Sequence, residues 1–576
     1  MIEKYYQREL THLRELAVEF SKNHPALAPM LTGPGSDPDV ERLLEGSAFM
    51  SGMINQKLDD EFPEIVHGLV QLVFPHYLRP IPSTTIVKFT PKPSLMETVH
   101  VPLGSQLSSI PVKGTKCTFS TTFDVELHPL TITKVDMVQR AGTSGMLTLG
   151  FELKGLTLDE WDVSSLRFHL TGGSASASSR YKTLFSCIRG IRVSGSNGAV
   201  AMLGAGNLKA VGFEDEEALL PYPSQSFPGY RILQEYFILP EKFLFFDVDG
   251  LDNWKNRGDG KTFEIVLELD NLPAELLDFT EEHLCLFATP AINLFQRDAE
   301  PVTLDHKRPE YQVIPSGGSG GDYQVYSVDT VVGYVQGTVE ERPYKPFQMF
   351  NPRSEEMPVY TVHHRRSLVM DMTNLFLSVA YPTQGQAPRL ETLSMSLTCT
   401  NGNLPEKLRF GDISKPTSTS PELATFENIR QPTSPVQPPL GKNLLWRLLS
   451  HLYINYLSVA DVDSLRAMVK LYVFTDTRDR GSVVANTKRV EAIQGMKLSE
   501  GDRLVKGLVM RGRDIKLSLT CDGFANSGDL YLFSSVMNRF FAGYASVNCF
   551  TRLTVEDTLN KEQYHWNAMI GDRPLL

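Results

Sequence analysis

The chain has 576 residues, of which 41% are hydrophobic and 21% are charged, and this is the composition of an ordinary globular protein. Its formal net charge of −11 argues against a nucleic-acid partner, because binding to phosphates requires a basic face. The sequence shows neither a signal peptide nor an apolar run of about 18 residues, so we expect no membrane span and no periplasmic or secreted effector.

The first predicted element is a long amphipathic helix. Residues 2–20 repeat apolar side chains at helical spacing, which places them on one stripe, while charged side chains lie away from it. A stripe of this kind has to be covered by another element. The side chains of this helix that we take as candidates for a partner interface are Tyr6, Leu10, Leu13 and Phe20.

A second helix is expected from about Pro38 to Leu58. Asp37 and Pro38 are typical of an N-cap followed by a first-turn proline. Apolar side chains occur on more than one side of this helix, and the further interface candidates among them are Phe49, Met53 and Ile54. Its small residues are Ser47, Ala48, Ser51 and Gly52. They would let a neighbouring helix come closer than the usual separation of about 8–10 Å.

A third helix is expected from Pro63 to Phe74, and a group of prolines then ends the helical region. Pro75, Pro80 and Pro82 each remove a backbone N–H and restrict the preceding residue. Residues 1–83 are therefore predicted to be an N-terminal helical segment.

After Ser83 the hydrophobic period changes from 3.6 to 2. The alternating segments TTIVKFT, SLRFHL and KTFEIVLEL predict half-buried strands. Residues 84–345 are expected to form a β-rich middle domain with a few helices, one of them at 229–237. Residues 346–576 are expected to form a C-terminal α/β domain. The predicted fold class is α+β multidomain, with an N-terminal helical segment followed by β-rich domains with a few helices.

Residues 414–442 are rich in Pro, Ser and Thr, and this composition predicts a long surface loop. Leu423, Phe426 and Ile429 lie three apart in this loop, a spacing that allows one short amphipathic turn. The turn has two interpretations, a plain surface turn or a docking point for a partner with Phe426 as its anchor. Residues 444–459 are then predicted to be a buried helix.

Two parts of the chain have similar patterns of predicted elements. A helix followed by a strand is expected in 184–195 and in 465–474, and an aromatic-ended helix followed by a strand in 232–248 and in 536–553. We therefore hypothesise that two related α/β modules are present. A shared strand order would support the hypothesis, and its absence would contradict it.

Three short motifs resemble catalytic or ligand-binding patterns, but each has a structural interpretation in this sequence. GGSGG (317–321) has Ser319 at the centre of G-x-S-x-G, but a strand rather than a helix is expected to follow. RGDGKT (257–262) has Lys255 where a P-loop requires glycine, and Lys261 runs into a strand. In HHRRS (363–367), His363 and His364 are adjacent and so point in different directions.

The six cysteines are scattered, and none forms a CxxC pair. In a chain of this length that pattern indicates reduced cytoplasmic thiols rather than a disulfide framework or a zinc site. The carboxylates, including the run from Glu214 to Glu217, isolate no general acid and base. The sequence therefore predicts no enzyme, no metal and no other cofactor.

Several long stretches resemble one family. DPDVERLLEGSAFMSGMINQKLDDEFPEI (37–65), followed by PHYLRPIPS (75–83), is similar to the N-terminus of the TssF family of type VI secretion baseplate wedge proteins. The resemblance continues through LLPYPSQSFPGYRILQEYFILPEKFLFFDVDGL (219–251), INLFQRDAEPVTLDHKRPEYQV (292–313), CTNGNLP (399–405), WRLLSHLYINYLSV (446–459) and LYLFSSVMNRFFAGYASVNCFTRL (530–553). It extends over nearly the whole chain.

This resemblance implies a structural subunit of the baseplate wedge, a platform on which the contractile sheath and inner tube assemble. It implies that two copies of the chain associate with one TssG, that TssK and TssE join the wedge, and that the VgrG spike lies at its centre. It also implies a cytoplasmic location, docked at the inner membrane through the secretion complex.

The residues agree with that implication. Helices that are apolar on more than one side need several neighbours, so residues 1–83 are expected to join an intermolecular helical bundle. The competing interpretation is a carbohydrate-active or other hydrolytic enzyme. A deep pocket with two convergent carboxylates ~5–10 Å apart would favour it.

Overall fold

The computed structural model describes the residues 2–23, 37–59, 68–71, 74–139, 144–196, 200–222, 227–272, 278–318, 321–338, 341–347, 358–367, 372–381, 390–440, 461–474, 479–505, 508–545 and 547–571. The chain divides into two compact units. The first unit consists of Met1–Leu78 with Pro439–Leu449, and the second consists of Arg79–Pro438 with Ser450–Leu576. An N-terminal helical part and a β-rich remainder confirm the predicted α+β class.

Among the described residues of the first unit, the long α-helices are α1 (Ile2–Asn23) and α2 (Pro38–Asp59). Those of the second unit are α3 (Ser174–Cys187), α4 (Pro228–Ile238), α5 (Val462–Leu471), α6 (Arg480–Glu491) and α7 (Ser527–Ala542). Short 3-10 helices are Pro75–Leu78, Ala205–Asn207, Pro240–Leu244, Leu251–Asn253, Glu281–His283, Leu404–Lys407 and Cys521–Gly523.

The first strands are β1 (Thr84–Pro91), β2 (Val99–Val101), β3 (Gln106–Val112), β4 (Thr115–Thr121), β5 (Val125–Leu127), β6 (Leu130–Gln139), β7 (Gly145–Leu153), β8 (Ser165–Leu170), β9 (Ile188–Gly195) and β10 (Val200–Gly204). They are followed by β11 (Leu208–Val211), β12 (Phe245–Asp249), β13 (Thr262–Leu269), β14 (Leu284–Leu286), β15 (Ala288–Ile292), β16 (Phe295–Asp298), β17 (Val302–Leu304), β18 (Tyr311–Gln312), β19 (Gln324–Val335) and β20 (Glu341–Pro346). The last are β21 (Val359–Arg366), β22 (Thr373–Ala380), β23 (Glu391–Thr400), β24 (Ile413–Lys415), β25 (Ala424–Asn428), β26 (Ile493–Val505), β27 (Leu508–Leu519), β28 (Cys549–Asp557), β29 (Gln563–His565) and β30 (Met569–Ile570).

These strands form six sheets in the described part of the second unit. The strand orders are β24-β3-β4-β15-β1-β25, β10-β9-β13-β7-β6, β11-β12-β8-β14, β16-β23-β19-β20-β21-β22-β18 with β17 on β23, β2-β5, and β26-β27-β28-β29 with β30 on β28. Pairing is antiparallel except for β20 with β21 and β27 with β28. Antiparallel neighbours explain why so many short strands follow each other through tight turns.

Sequence alternation predicted several of these strands correctly. In β13, Phe263, Ile265 and Leu267 are buried on one side, while Glu264 is exposed on the other. The helix expected at 229–237 is α4, and Asp37 caps α2 by accepting the N–H of Asp39 at 3.0 Å. The predicted helices at 63–74 and 444–459 lie outside the described residues, except for a helical turn at 68–71.

The prediction that 414–442 is an irregular surface loop was wrong for its central part. Residues 424–428 form β25, which pairs antiparallel with β1 and places Phe426 opposite Phe89. The centroids of the two rings are 5.9 Å apart, and Phe426 is only 7% exposed. Alternate residues are buried along β25, which is the period of two that a strand has. The spacing of three between Leu423, Phe426 and Ile429 predicts a turn and does not reveal this period. Phe426 is therefore a core side chain and not a candidate for partner binding.

The boundary expected at 345/346 lies inside a sheet. Strand β20 ends at Pro346 and pairs with β21, so the eight-stranded sheet continues across the position. Composition does not reveal this, because the partner strands of the sheet come from both sides of the proposed boundary.

The hypothesis of two related modules was also wrong. After α7, β28 lies parallel to β27 in the same sheet, whereas β12, which follows α4, lies in a different sheet from β9 and β10. The strand expected at the end of 465–474 is absent as well, since α5 ends at Leu471 and a turn follows.

A buried ionic cluster holds α4 to the segment before it and to the 3-10 helix after it. Glu235 is fully buried and accepts the N–H groups of Leu219 at 2.8 Å and Leu220 at 3.0 Å. Its carboxylate contacts the ammonium of Lys242, and Arg231 lies 3.4 Å away. Burial lowers the pKa of Lys242 to about 8, although the charge of Glu235 opposes this shift.

We expect Phe426→Ala to lower the free energy of unfolding by about 3–5 kcal/mol, because it leaves a cavity beside Phe89. Urea denaturation of the full chain measures the change, and Phe410→Ala is the matched control because Phe410 is 65% exposed. Unchanged stability together with weaker partner binding would restore the docking interpretation.

We expect Lys242→Met to lower the free energy of unfolding by about 3 kcal/mol, because Glu235 then keeps only Arg231 as a counter-charge. In the double variant Glu235→Gln, Lys242→Met, the amide oxygen still accepts the N–H groups of Leu219 and Leu220, so most of the loss should be recovered. Equal losses in the two variants, measured by urea denaturation, would show that the lysine acts through packing and not through charge.

Candidate partner-binding surface

The helices α1 and α2 form an antiparallel pair with a very close approach at one glycine. A Cβ atom added to Gly52 would lie 3.0 Å from the backbone nitrogen of Tyr6. Nearby, the rings of Tyr6 and Phe49 meet edge to face with their centroids 6.5 Å apart. Towards the other end, Arg14 Nη2 lies 2.9 Å from Glu41 Oε2, and this hydrogen bond raises the pKa of Arg14. The small residues predicted to permit close packing thus include the one that needs to be glycine.

The same pair leaves many large apolar side chains exposed. We call this set the apolar surface of the helix pair, and its members are Leu16, Val18, Phe20, Leu43, Phe49, Met50, Met53 and Ile54. Leu43 is the most exposed of them at 74%. Large apolar side chains left exposed in this number usually mark a site of interaction. Two helices have only one mutual face, so the other apolar faces need further helices.

The residues of α1 and α2 that were predicted to contact a partner are exposed, half-buried or buried. Phe20, Phe49, Met53 and Ile54 belong to the apolar surface, and Tyr6 and Leu13 are half-buried. Leu10 is buried together with Ala17, so the proposal that Leu10 contacts a partner is not supported. Leu10 and Ala17 are seven residues apart, which puts them on one face of α1.

Part of this surface lies outside the residues predicted to contact a partner. The candidates taken from the sequence of α2 do not include Leu43 and Met50, which are 74% and 66% exposed. Leu16 and Val18 lie off the main apolar stripe of α1. An apolar side chain in such a position is the sequence signal that could have identified them as interface residues. Which stripe faces α2 depends on the close contact at Gly52, and periodicity alone does not reveal it.

Two of the three motifs that resemble catalytic patterns lie on a strand or directly before one. Lys261 precedes β13 directly, so no helix N-terminus is offered to a phosphate. His363 and His364 lie on β21, where His363 Nε2 is 3.3 Å from Thr361 Oγ1 and His364 is buried. Ser319 lies outside the described residues. Within the described ranges, no cluster of His, Cys, Asp or Glu is arranged to hold a metal ion.

One cavity of the second unit has several carboxylates in its wall. It has a volume of about 400 Å³, and Asp247 and Glu217 line it together with Arg167. Arg167 donates two hydrogen bonds of 2.8 Å to Asp247 and lies 3.7 Å from Glu217. Burial raises the pKa of Asp247, but the arginine holds this carboxylate in an ion pair. This arrangement is that of a folding contact rather than of a free general acid.

Comparison with known proteins identifies the family. The family model described as type VI secretion system, TssF, matches residues 1–573. The chain belongs to the TssF family. It is 30% identical to the type VI secretion system component TssF1 of Pseudomonas aeruginosa over 623 aligned residues, which cover 100% of this chain and 99% of that relative.

Two solved structures are similar to this TssF-family chain. In a TssK-TssF-TssG baseplate subcomplex of the type VI secretion system, the matching chain is 30% identical with a TM-score of 0.78, and the match covers 93% of this chain and 99% of that one. In a baseplate complex from the type VI secretion system, the matching chain is 26% identical with a TM-score of 0.63 and both chains are fully covered. In the described part of the TssF-family chain, no helix is long and apolar enough to cross a membrane.

We expect Gly52→Ala to weaken the packing of α1 on α2, since the added methyl group would meet the backbone of Tyr6. The matched control is Gly46→Ala on the same helix, where a Cβ has no atom within 4 Å. The control should gain up to about 1 kcal/mol from helix propensity, and crowding at Gly52 should cost about 1–3 kcal/mol. Hydrogen exchange of the α1 amides measures both, and equal protection in the two variants would contradict the close approach.

Proposed function

We propose that this chain is a structural, non-enzymatic subunit of the type VI secretion baseplate, on which the contractile sheath and inner tube assemble. Family membership over residues 1–573 and the full-length similarity to a chain of a baseplate complex support this role. The observation that carries the proposal at the level of residues is the apolar surface of the helix pair. A subunit of an assembly needs such a surface, whereas an independent enzyme would not leave it uncovered.

The partners that we propose are TssG and TssK, because a similar TssF chain forms a subcomplex with them. We extend this to two copies of the chain for each TssG, to TssE and to the VgrG spike, and to a cytoplasmic location beside the inner membrane. The absence of an apolar spanning helix among the described residues is compatible with that location.

The apolar surface is proposed to be covered by helices of TssG and of a second copy of the chain. Burying a Leu, Ile, Phe or Met side chain completely contributes about 1.5–3 kcal/mol. The surface contains eight large apolar side chains, so covering even half of them provides a substantial part of the association energy. A third and a fourth helix would complete a bundle in which α1 and α2 each gain a second neighbour.

We expect Met50→Asp to weaken binding to TssG at least tenfold, which corresponds to about 1.4 kcal/mol, while leaving the fold intact. Met50 is 66% exposed, so a carboxylate there is solvated in the free chain and is desolvated only in the complex. Co-purification followed by mass measurement of the complex, with a titration for the affinity, provides the readout.

The matched control is Met202→Asp, since Met202 is 64% exposed but lies on β10 in the second unit. It should bind TssG as the unmodified chain does. Equal effects of the two substitutions, or none from either, would contradict the proposed role of the apolar surface.

A further inference from the structure

A groove in the second unit has the size and lining of a binding site for a peptide. Its volume is about 700 Å³, within the range of about 300–1,000 Å³ typical of ligand sites. The walls are mainly apolar, with Leu220, Ile292 and Phe295 among them. Leu103 also lines the groove and is 59% exposed, so an apolar side chain is already presented to solvent there.

The carboxylate-lined cavity of about 400 Å³ adjoins this groove at one shared residue. Glu216 lines both. In addition, the backbone N–H of Leu103, in the groove, donates to Asp124, in the cavity, at 2.8 Å. An apolar compartment and an acidic compartment therefore lie side by side.

The acidic compartment has more negative than positive charge. The carboxylates that line it are Asp124, Glu126, Glu216, Glu217 and Asp247. Among the described residues of this lining, Arg167 is the only arginine or lysine, and it is engaged by Asp247 and Glu217. Two histidines, His100 and His128, also line the cavity. His128 lies 3.6 Å from Glu126, but burial lowers its pKa to about 4, so it is neutral at pH 7 and leaves that carboxylate uncompensated.

Glu216 differs from the other acidic residues of its run. Glu214 pairs with Arg539, Asp215 lies 2.8 Å from Arg231, and Glu217 accepts the N–H groups of Gly212 at 2.6 Å and Phe213 at 3.0 Å. Among the residues that the structure describes, Glu216 has no hydrogen bond or ion pair. Three of the four carboxylates thus have partners within the chain, and the fourth faces the junction of the two compartments.

A metal ion is not the ligand that this arrangement favours, because the described carboxylates and histidines do not converge into a coordinating group. A cationic side chain carried on an apolar segment fits both compartments at once. The apolar groove accepts the neighbouring side chains, and the excess of carboxylates complements an ammonium or guanidinium group.

We propose that the groove receives a segment of a partner protein of the baseplate, with an apolar side chain in the larger compartment and a lysine or arginine beside Glu216. This inference depends on the proposed function, since the partner belongs to the same assembly. The contact would be sensitive to salt, because Glu216 is exposed before the partner binds.

Site-specific photocrosslinking of the reconstituted complex with TssG and TssK tests the proposal. The crosslinking amino acid p-benzoylphenylalanine replaces Leu103, and mass spectrometry identifies the crosslinked peptide. We expect a partner peptide with a lysine or arginine next to apolar residues. Glu216→Lys should reduce the crosslink at least fivefold, because its own ammonium then occupies the acidic compartment, and Glu216→Gln should reduce it less.

Glu264→Lys is the matched control, because Glu264 is also exposed in the second unit but lines neither compartment. It should leave the crosslink unchanged, and reversing the charge of the identified basic residue should restore crosslinking to the Glu216→Lys chain. A crosslink to the same chain, a peptide without a basic residue, or equal yields from both lysine variants would overturn the inference. If the complex forms normally but no crosslink appears, only this inference is overturned. If the chain does not bind TssG and TssK at all, the proposed function is overturned too.

Discussion

The pairing of β1 with β25 is the constraint on which the second unit depends. It joins segments that are far apart in the chain, since the hydroxyl group of Ser83 donates to the carbonyl group of Thr433, 350 residues away, at 2.6 Å. Just before β1, Ile81 and Val436 exchange backbone hydrogen bonds of 2.8 and 2.9 Å. Everything between these ends folds as part of one unit, which explains why a boundary inferred from composition lies within a sheet.

The two units differ in how completely their own residues cover apolar side chains and pair charged groups. In the second unit even charged groups are internal, and Glu235 has its partners Arg231 and Lys242 on or next to its own helix. In the first unit, α1 and α2 bury one face of each helix and expose the rest of their apolar side chains. The remaining apolar area is the surface that we propose a partner chain covers.

The two proposed contacts would serve different purposes in an assembly. An apolar helix surface contributes most of the association energy but is tolerant of sliding and of alternative partners. An exposed carboxylate that is desolvated on binding beside an apolar groove contributes less energy and more selectivity, because a partner without the complementary cation leaves it unpaired. Together they would define both how strongly the chain binds its partners and in which relative position.

The sequence by itself determined the helices α1 and α2, the alternation of strands such as β13, and the family, because these depend on local periodicity and on ordered motifs spread along the chain. Tertiary structure alone decided that Phe426 lies in the core, that Leu10 is covered by the helix pair and that Glu216 lies between two cavities. The physical reason is the same in each case. Burial of these side chains depends on a strand, a helix or a loop that is distant in the sequence, and no pattern within a short window reports which distant segment will pair with it.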